Sequence, residues 1–152
     1  MIEVMFVCLG NICRSPMAEA IMKHKLKEKG LENQVRVTSS GTGNWHIGKR
    51  PHEGTLEILE RNGIDHGGMT GSQVRREHFE TFDYLIALDS SNEANLLKMR
   101  PDDAKAQVRR LLSFSKQFTH HDVPDPYFTG NFVEVYDMID EAVEQFIQEV
   151  IE

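Results

Sequence analysis

Several residues that can do chemistry crowd into eight positions near the start of the chain. They are Cys8, Cys13, Arg14 and Ser15, and Pro16 follows directly. A pair of thiols can form a disulfide, bind a metal ion or supply a nucleophile, and each use predicts a different class of protein. The chain has only two cysteines, and no signal peptide is evident at its start, so we expect both thiols to be reduced and reactive.

Metal and nucleotide sites fit these residues less well. A structural zinc ion takes about four Cys or His ligands, and the first histidine after the two cysteines is His24. The adjacent His120 and His121 stand in a predicted loop, and we interpret them as solvated and leave them out of the site. A Walker loop requires G-x-x-x-x-G-K-[ST], and neither Gly10 nor residues 41–43 continue in that way. We therefore predict no metal and no cofactor.

The spacing from Cys8 to Arg14 suits a phosphate group instead. A loop wound over a helix N-terminus aims backbone N–H groups at one point, where the helix dipole adds positive charge. Arg14 offers a planar fork for two phosphate oxygens. Such surroundings lower a cysteine pKa from about 8.5 to roughly 3.5–7.5, which makes Cys8 the predicted nucleophile and a phosphocysteine the intermediate. The loop residues are Leu9, Gly10, Asn11, Ile12 and Cys13, followed by Arg14 and Ser15.

Ser15 has two interpretations at this stage. Its hydroxyl could cap a helix whose first turn holds Pro16. It could also donate to the Cys8 sulfur when that sulfur leaves phosphorus. Both roles remain open from the sequence.

Short apolar runs alternate with helical patterns along the chain. Strands alternating with helices favour βαβ units and a parallel sheet covered on both faces. We therefore predict an α/β fold, a three-layer doubly wound sandwich with a four-stranded parallel sheet, in one domain over residues 1–152. Strands are predicted at residues 2–7, 34–39, 82–88 and 108–114, and helices at 16–29, 52–61, 89–100 and 135–150.

The predicted topology brings distant residues to one edge of the sheet. In such sheets, ligands bind beyond the carboxyl ends of the strands. The loop that follows Cys8, residues 40–44, Asp89 and residues 120–129 would all lie at that edge. The candidate site therefore draws on the whole length of the chain.

Composition and charge exclude several classes of protein. The 152 residues are 39% hydrophobic and 27% charged, which is typical of a folded globular domain rather than a disordered chain. The formal net charge of -7 disfavours nucleic acids and anionic membranes as partners. No apolar run approaches the roughly 20 residues of a membrane span. We expect a cytoplasmic protein and a monomer.

The sequence CLGNICRSP at residues 8–16 resembles the signature of the low molecular weight protein tyrosine phosphatases, in particular their bacterial members. The resemblance continues in order and spacing over nearly the whole chain. It implies hydrolysis of phosphotyrosine in proteins through a phosphocysteine on Cys8, with phosphate or vanadate as site ligands. The further matching stretches are Ser39 and Thr42, residues 81–84, residues 89–92, and Asp125-Pro126-Tyr127.

The resemblance also implies individual roles. Asp125 would be the general acid and base, Asp89 would orient Arg14 or simply cap a helix, and Asn11 would hold the loop's shape. The remaining roles are Ser39 as a supporting hydrogen-bond partner, Trp45 and Tyr127 as walls of the cleft, and Cys13 as a reversible disulfide partner of Cys8. Apart from the resemblance, the sequence alone leaves Cys13 open as a buried spectator, and we interpret Phe128 as a packing anchor. The family's histidine after the second helix has no secure counterpart in this chain, because residues 66–69 do not align cleanly, so its role is not assigned to His66.

Three alternatives stay open beside this function. Arsenate reductases of the same fold relay electrons through further cysteines, and this chain has none after Cys13. A module that binds phosphate without turnover would be expected to lack one of Cys8, Arg14 and Asp125, and all three are present. Protein-arginine phosphatases of the family carry threonine where this chain has Ile12, and the apolar Ile12 favours an aromatic phosphoester.

Overall fold

The computed structural model describes residues 1–118 and 122–152. His120 and His121, which the sequence analysis interpreted as solvated, lie outside this range. Four strands and six helices alternate along the described part of the chain. They are β1 Ile2–Cys8, α1 Arg14–Glu28, β2 Val35–Gly41, α2 Glu53–Arg61, α3 His78–Thr81, β3 Tyr84–Ala87, α4 Ser90–Met99, β4 Gln107–Arg110, α5 Pro126–Thr129 and α6 Phe132–Phe146.

The four strands form one parallel sheet in the order β2-β1-β3-β4. β1 therefore lies between β2 on one side and β3 on the other, and the order of the strands reverses at β1. Its register places Cys8 beside Gly41 of β2 and Val7 beside Ala87 of β3. Ligands of such folds bind where the strand order reverses, and Cys8 ends the strand at that point.

Residues of β1 alternate between two buried layers, as a strand covered on both faces requires. Val4 and Phe6 pack in the cluster that contains α1, α2 and α6, whereas Met5 and Val7 pack with Phe79 of α3 and with α4. Helices thus cover both faces of the sheet. The predicted three-layer α/β fold with a four-stranded parallel sheet is confirmed.

The predicted element boundaries differ from the observed ones in several places. The strand expected at residues 108–114 ends at Arg110, and a 3₁₀ turn, Leu111–Ser113, follows it. The last helix begins at Phe132, where Asn131 caps it, and passes into a π-helical turn at Ile147–Ile151. The short helices α3 and α5 were not predicted, because four residues are too few to show a helical period. Among the described residues, every helix is too short or too polar to span a bilayer.

Candidate active site

Cys8 stands where β1 ends, and residues 8–15, hereafter the Cys8 loop, turn from there into α1. The helix begins at Arg14, and within the described residues the side chain of its N-cap residue, Cys13, makes no capping hydrogen bond. The first-turn N–H groups of a helix lack partners within the helix, so they are available to an anion. The loop has the geometry of an anion cradle.

Ser15 lies inside the first turn of α1 rather than before it, so the prediction that it caps the helix is wrong. Its fully buried hydroxyl lies 3.0 Å from the Cys8 sulfur. The side-chain amide of Asn11 donates to the same hydroxyl over 2.8 Å. Ser15 is therefore placed to donate a hydrogen bond to a thiolate on Cys8.

Asn11 holds the bend in the middle of the Cys8 loop. Its φ of 57° lies in the left-handed region, which asparagine tolerates better than most residues. While its amide nitrogen donates to Ser15, its carbonyl oxygen accepts from the backbone N–H of Ser72 over 2.8 Å. One buried side chain thus joins the loop to a segment sixty-one residues away.

Gly41 closes the back of the Cys8 loop. The end of β2 bonds to the loop where Thr42 N donates to Cys8 O and Gly43 N donates to Leu9 O, both over 2.9 Å. A Cβ atom at Gly41 would lie 2.8 Å from the Leu9 carbonyl oxygen. Only glycine permits so close an approach of the two backbones.

The resemblance assigned a supporting hydrogen bond near the Cys8 loop to Ser39, but in the structure the neighbouring Ser40 makes it. The Ser39 hydroxyl donates to Glu19 of α1 over 2.6 Å. Ser40 instead contacts two residues that bond to Asn11. Its carbonyl accepts from the Ser15 hydroxyl over 3.4 Å, and its own hydroxyl lies 2.9 Å from that of Ser72. Two adjacent serines at the end of a strand point to opposite faces, and the one-residue register decides which of them contacts the loop.

Arg14 is 3% exposed and is fixed from one side. Its Nη1 donates to Asp89 Oδ2 over 2.6 Å and to the Val123 carbonyl over 2.9 Å. Burial opposes the guanidinium charge, but the charge on Cys8 and the carboxylates of Asp89 and Asp125 outweigh it and raise the pKa of Arg14. Asp89 also caps α4 by accepting from Asn92 N, so the two roles that the sequence left open coexist.

Asp125 lies on the far side of the cleft, in residues 122–128, hereafter the Asp125 segment. Its Oδ1 caps α5 by accepting from the backbone N–H of Tyr127 over 3.1 Å. Its Oδ2 lies 3.5 Å from Nη2 of Arg14. The carboxyl group is thus oriented by its own short helix toward the arginine of the Cys8 loop.

Aromatic side chains surround a cleft of about 210 Å³ above the Cys8 loop. Trp45 and Tyr127 line it, as the resemblance implied for its walls, and are 62% and 55% exposed. Phe128 also lines it and is 76% exposed, so its interpretation as a packing anchor is wrong. His46, which the sequence analysis did not select, lines the cleft with its ring against Gly10.

Comparison with known proteins agrees with this geometry. The model of the family described as low molecular weight phosphotyrosine protein phosphatase matches residues 3–152. The chain is 48% identical over 150 residues to the low molecular weight protein-tyrosine-phosphatase YfkJ of Bacillus subtilis, covering 99% of this chain and 96% of YfkJ. This chain belongs to the low molecular weight protein tyrosine phosphatase family.

A second curated relative and two solved structures also match this chain. The protein-tyrosine-phosphatase PtpA of Staphylococcus saprophyticus is 48% identical over 151 residues, covering 99% of this chain and 95% of PtpA. The crystal structure of YfkJ matches with a TM-score of 0.94 over 100% of this chain and 98% of that one. The crystal structure of the Drosophila arginine phosphatase matches with a TM-score of 0.90 at 32% identity, over 98% of each chain. The backbone alone therefore does not separate aryl from guanidino phosphate.

The second thiol of this phosphatase differs from the first. Cys13 is buried and free. Burial, reinforced by the charges of Asp125 and Cys8, raises the pKa of the Cys13 thiol to about 12 despite Arg14 and a hydrogen bond to Thr55. Cys13 is consequently a neutral thiol at any physiological pH.

Proposed function

We propose that this phosphatase hydrolyses phosphotyrosine in proteins through a phosphocysteine on Cys8. The observation that carries the proposal is the convergence of Cys8, Arg14 and Asp125 on one cleft, with Asp125 Oδ2 3.5 Å from the arginine. A nucleophile, an anion-binding group and a proton donor are the three parts that the reaction needs.

In the first step, the loop N–H groups and Arg14 bind the phosphate oxygens. The Cys8 thiolate attacks phosphorus in line, so that an S–P bond forms while the P–O bond to the tyrosine ring breaks. Asp125 donates its proton to the departing phenolate oxygen, which leaves as neutral tyrosine. Binding aligns the sulfur with phosphorus before reaction, and this alignment supplies much of the rate.

In the second step, water replaces the sulfur. The Asp125 carboxylate takes one proton from the water. At the same time the water oxygen bonds to phosphorus, and the S–P bond breaks. The leaving thiolate is stabilised by the Ser15 hydroxyl, 3.0 Å from the sulfur. Inorganic phosphate departs, and Asp125 is again protonated for the next cycle.

Substrate choice depends on the walls of the cleft. Trp45 and Tyr127 are flat, exposed surfaces against which a phenyl ring can pack, and apolar Ile12 lines the cleft beside them. These contacts favour phosphotyrosine over phosphoarginine, whose charged guanidino group would lie beside an apolar side chain.

We further propose that residues 1–152 act as one monomeric catalytic domain in the cytoplasm, where the two free thiols would stay reduced.

The decisive experiment measures release of p-nitrophenol from p-nitrophenyl phosphate in the presence of EDTA. Wild type should turn over many times without added metal. In a parallel assay without EDTA, which would bind vanadate, it should be inhibited by vanadate, a mimic of the five-coordinate phosphorus. Cys8→Ser should fall to the background rate, because the hydroxyl of serine is a far weaker nucleophile than a thiolate. Equal product release by the two proteins would contradict the mechanism.

A paired assay tests the substrate. Wild type and Ile12→Thr should be compared on one peptide that carries either phosphotyrosine or phosphoarginine at the same position. We expect wild type to prefer phosphotyrosine and the variant to shift toward phosphoarginine. A preference of the wild-type enzyme for phosphoarginine would overturn the assignment of the substrate while leaving the catalytic residues in place.

A further inference from the structure

We propose that His52 is a positioning residue that fixes the Tyr127 wall relative to the Cys8 loop. This inference rests on the proposed phosphatase function. His52 is the residue at which four parts of the molecule meet: the Cys8 loop, the start of α2, the Asp125 segment and the start of α6.

The His52 backbone is attached to the Cys8 loop. Its N–H donates to the Ile12 carbonyl over 2.7 Å, so its position follows that of the residue which lines the cleft. Thr55, one turn further along α2, donates its buried hydroxyl to the Cys13 carbonyl over 3.2 Å. The first turn of α2 is thus fixed to two successive carbonyl groups of the loop.

The His52 imidazole has two further contacts. Its Nδ1 caps α2 by accepting from Gly54 N over 3.0 Å, so this nitrogen carries no proton. The ring stacks on Phe132, with centroids 5.1 Å apart and planes 22° apart. Gly54 makes room for this stack, because a Cβ there would lie 2.4 Å from the Phe132 ring. The cap and the stack together hold the imidazole in one orientation.

The imidazole, held in this orientation, contacts the ring of Tyr127. The two rings meet edge to face, with centroids 6.1 Å apart and planes at 80°. Tyr127 is otherwise more than half exposed, and its other ring contact is with Phe128, which is still more exposed. His52 is therefore the one partly buried ring that supports this wall among the described residues.

The opposite wall is supported in a different way. Trp45 lies over Gly43, where a Cβ would overlap the indole ring. Its position is set by the end of β2, which bonds to the Cys8 loop through its backbone. The Tyr127 wall instead contacts the imidazole of His52, which substitution can remove while the backbone bond from His52 N to the Ile12 carbonyl is kept.

The test separates the cap of His52 from its ring. His52→Asn keeps a side chain that caps helices well but removes the ring. His52→Phe keeps a ring against Phe132 and Tyr127 but cannot accept from Gly54 N. His24→Asn on α1 is the matched control, because it removes a half-buried imidazole far from the cleft.

We expect His52→Asn to raise KM for p-nitrophenyl phosphate about two- to tenfold, the scale of one aromatic pair. The inhibition constant of inorganic phosphate, which has no ring to contact the wall, should stay within about twofold of wild type. His52→Phe should recover most of the lost affinity while melting at a lower temperature, because a helix cap is lost. The control should match wild type in KM.

Two results would overturn this inference alone. One is an unchanged KM in His52→Asn; the other is a phosphate inhibition constant that rises in parallel with KM, which would place the effect in the Cys8 loop instead of the wall. Absence of p-nitrophenyl phosphate turnover by wild type would overturn the proposed function and this inference together. The two failures are therefore distinguishable.

Discussion

The Cys8 loop and the Asp125 segment form opposite sides of one cleft, but they are built differently. The loop lies between adjoining elements, β1 and α1, and its contacts are buried: Asn11, Arg14 and Ser15 are at most 3% exposed. The Asp125 segment reaches the cleft from more than a hundred residues away and carries two exposed rings, Tyr127 and Phe128.

Side chains of α1, α4 and β4 attach the Asp125 segment. Arg14 bonds to the Val123 carbonyl, and Asp122 accepts from Ser90 over 2.6 Å and from Arg110 over 3.1 Å. Partial burial opposes the charge on Asp122, but the bonds from Ser90 and Arg110 outweigh it and lower its pKa. The Cys8 loop, the proposed binding half of the site, is thus held by buried contacts along its length, whereas the Asp125 segment, the proposed proton-transfer half, depends on contacts at its ends.

We expect the largest effect from a substitution in the binding half, the Cys8 loop. Arg14→Lys keeps a positive charge but loses the planar fork and cannot reproduce both bonds to Asp89 and Val123. We expect kcat/KM to fall about 10³-fold or more, the scale of arginines that stabilise phosphoryl transfer. Steady-state kinetics with p-nitrophenyl phosphate checks this. Arg36→Lys is the control, an exposed arginine paired with Glu3, and a similar fall there would contradict the assignment.

We expect the next largest effect from a substitution in the proton-transfer half, the Asp125 segment, that leaves phosphate binding intact. Asp125→Asn keeps the cap on α5 but has no proton to donate to the leaving oxygen. We expect kcat to fall about 10²- to 10⁴-fold, as for loss of a general acid, with phosphate inhibition near wild type. A loss of phosphate affinity as large as the loss of rate would show that the two halves are not separable.

A third prediction concerns the rigidity of the loop. Asn11→Ala leaves Ser72 N without an acceptor and forces alanine into a left-handed conformation. We expect the free energy of unfolding to fall by about 2–4 kcal/mol, from the strain and the unsatisfied group together. Urea denaturation measures this, with the exposed Asn33→Ala as the control, and equal stability of the two variants would argue against a rigid loop.

A fourth and smaller effect tests how the Asp125 segment is attached. Asp122→Asn weakens the contacts with Ser90 and Arg110 without touching the cleft. We expect kcat to fall about two- to tenfold, the scale of one charged hydrogen bond, with a steeper dependence on the pKa of the leaving phenol. The control is Asp83→Asn, whose partner Lys105 lies 3.3 Å away at the opposite edge of the sheet. An unchanged dependence on the leaving group would remove Asp122 from the positioning of Asp125.

The smallest expected signal comes from the second thiol. Because the pKa of Cys13 is raised to about 12, its thiol stays protonated as the pH rises, and only about one molecule in a thousand is ionised at pH 9. Iodoacetamide at pH 7 to 9 should therefore modify Cys8 and leave Cys13 intact. Peptide mapping by mass spectrometry reads this directly, and rapid alkylation of Cys13 in the folded protein would contradict its burial.

The same contrast explains how far the sequence could predict the site. The alternation of apolar strands with helices predicted the parallel sheet and its layers, and the CLGNICRSP motif led to the family, because both signals are local. The choice between Ser39 and Ser40 depends on the register of β2, and the contacts of Ser72 and His52 depend on the tertiary fold. The sequence placed the start of α1 at Pro16, and only the structure, in which α1 begins at Arg14, rules out Ser15 as its cap. The catalytic roles of Cys8, Arg14 and Asp125 stay predictions that the experiments above address.

The hydrogen bond from Tyr127 N to Asp125 has a stereochemical consequence. It engages Oδ1 as an acceptor, which leaves Oδ2, the oxygen on the Arg14 side, as the atom that can carry the acidic proton. The two oxygens of one carboxyl group are thereby made unequal by a four-residue helix. With Asp125 as the proposed general acid, a substrate would present its bridging oxygen to that one atom, and the helix would determine the direction from which the leaving group is protonated.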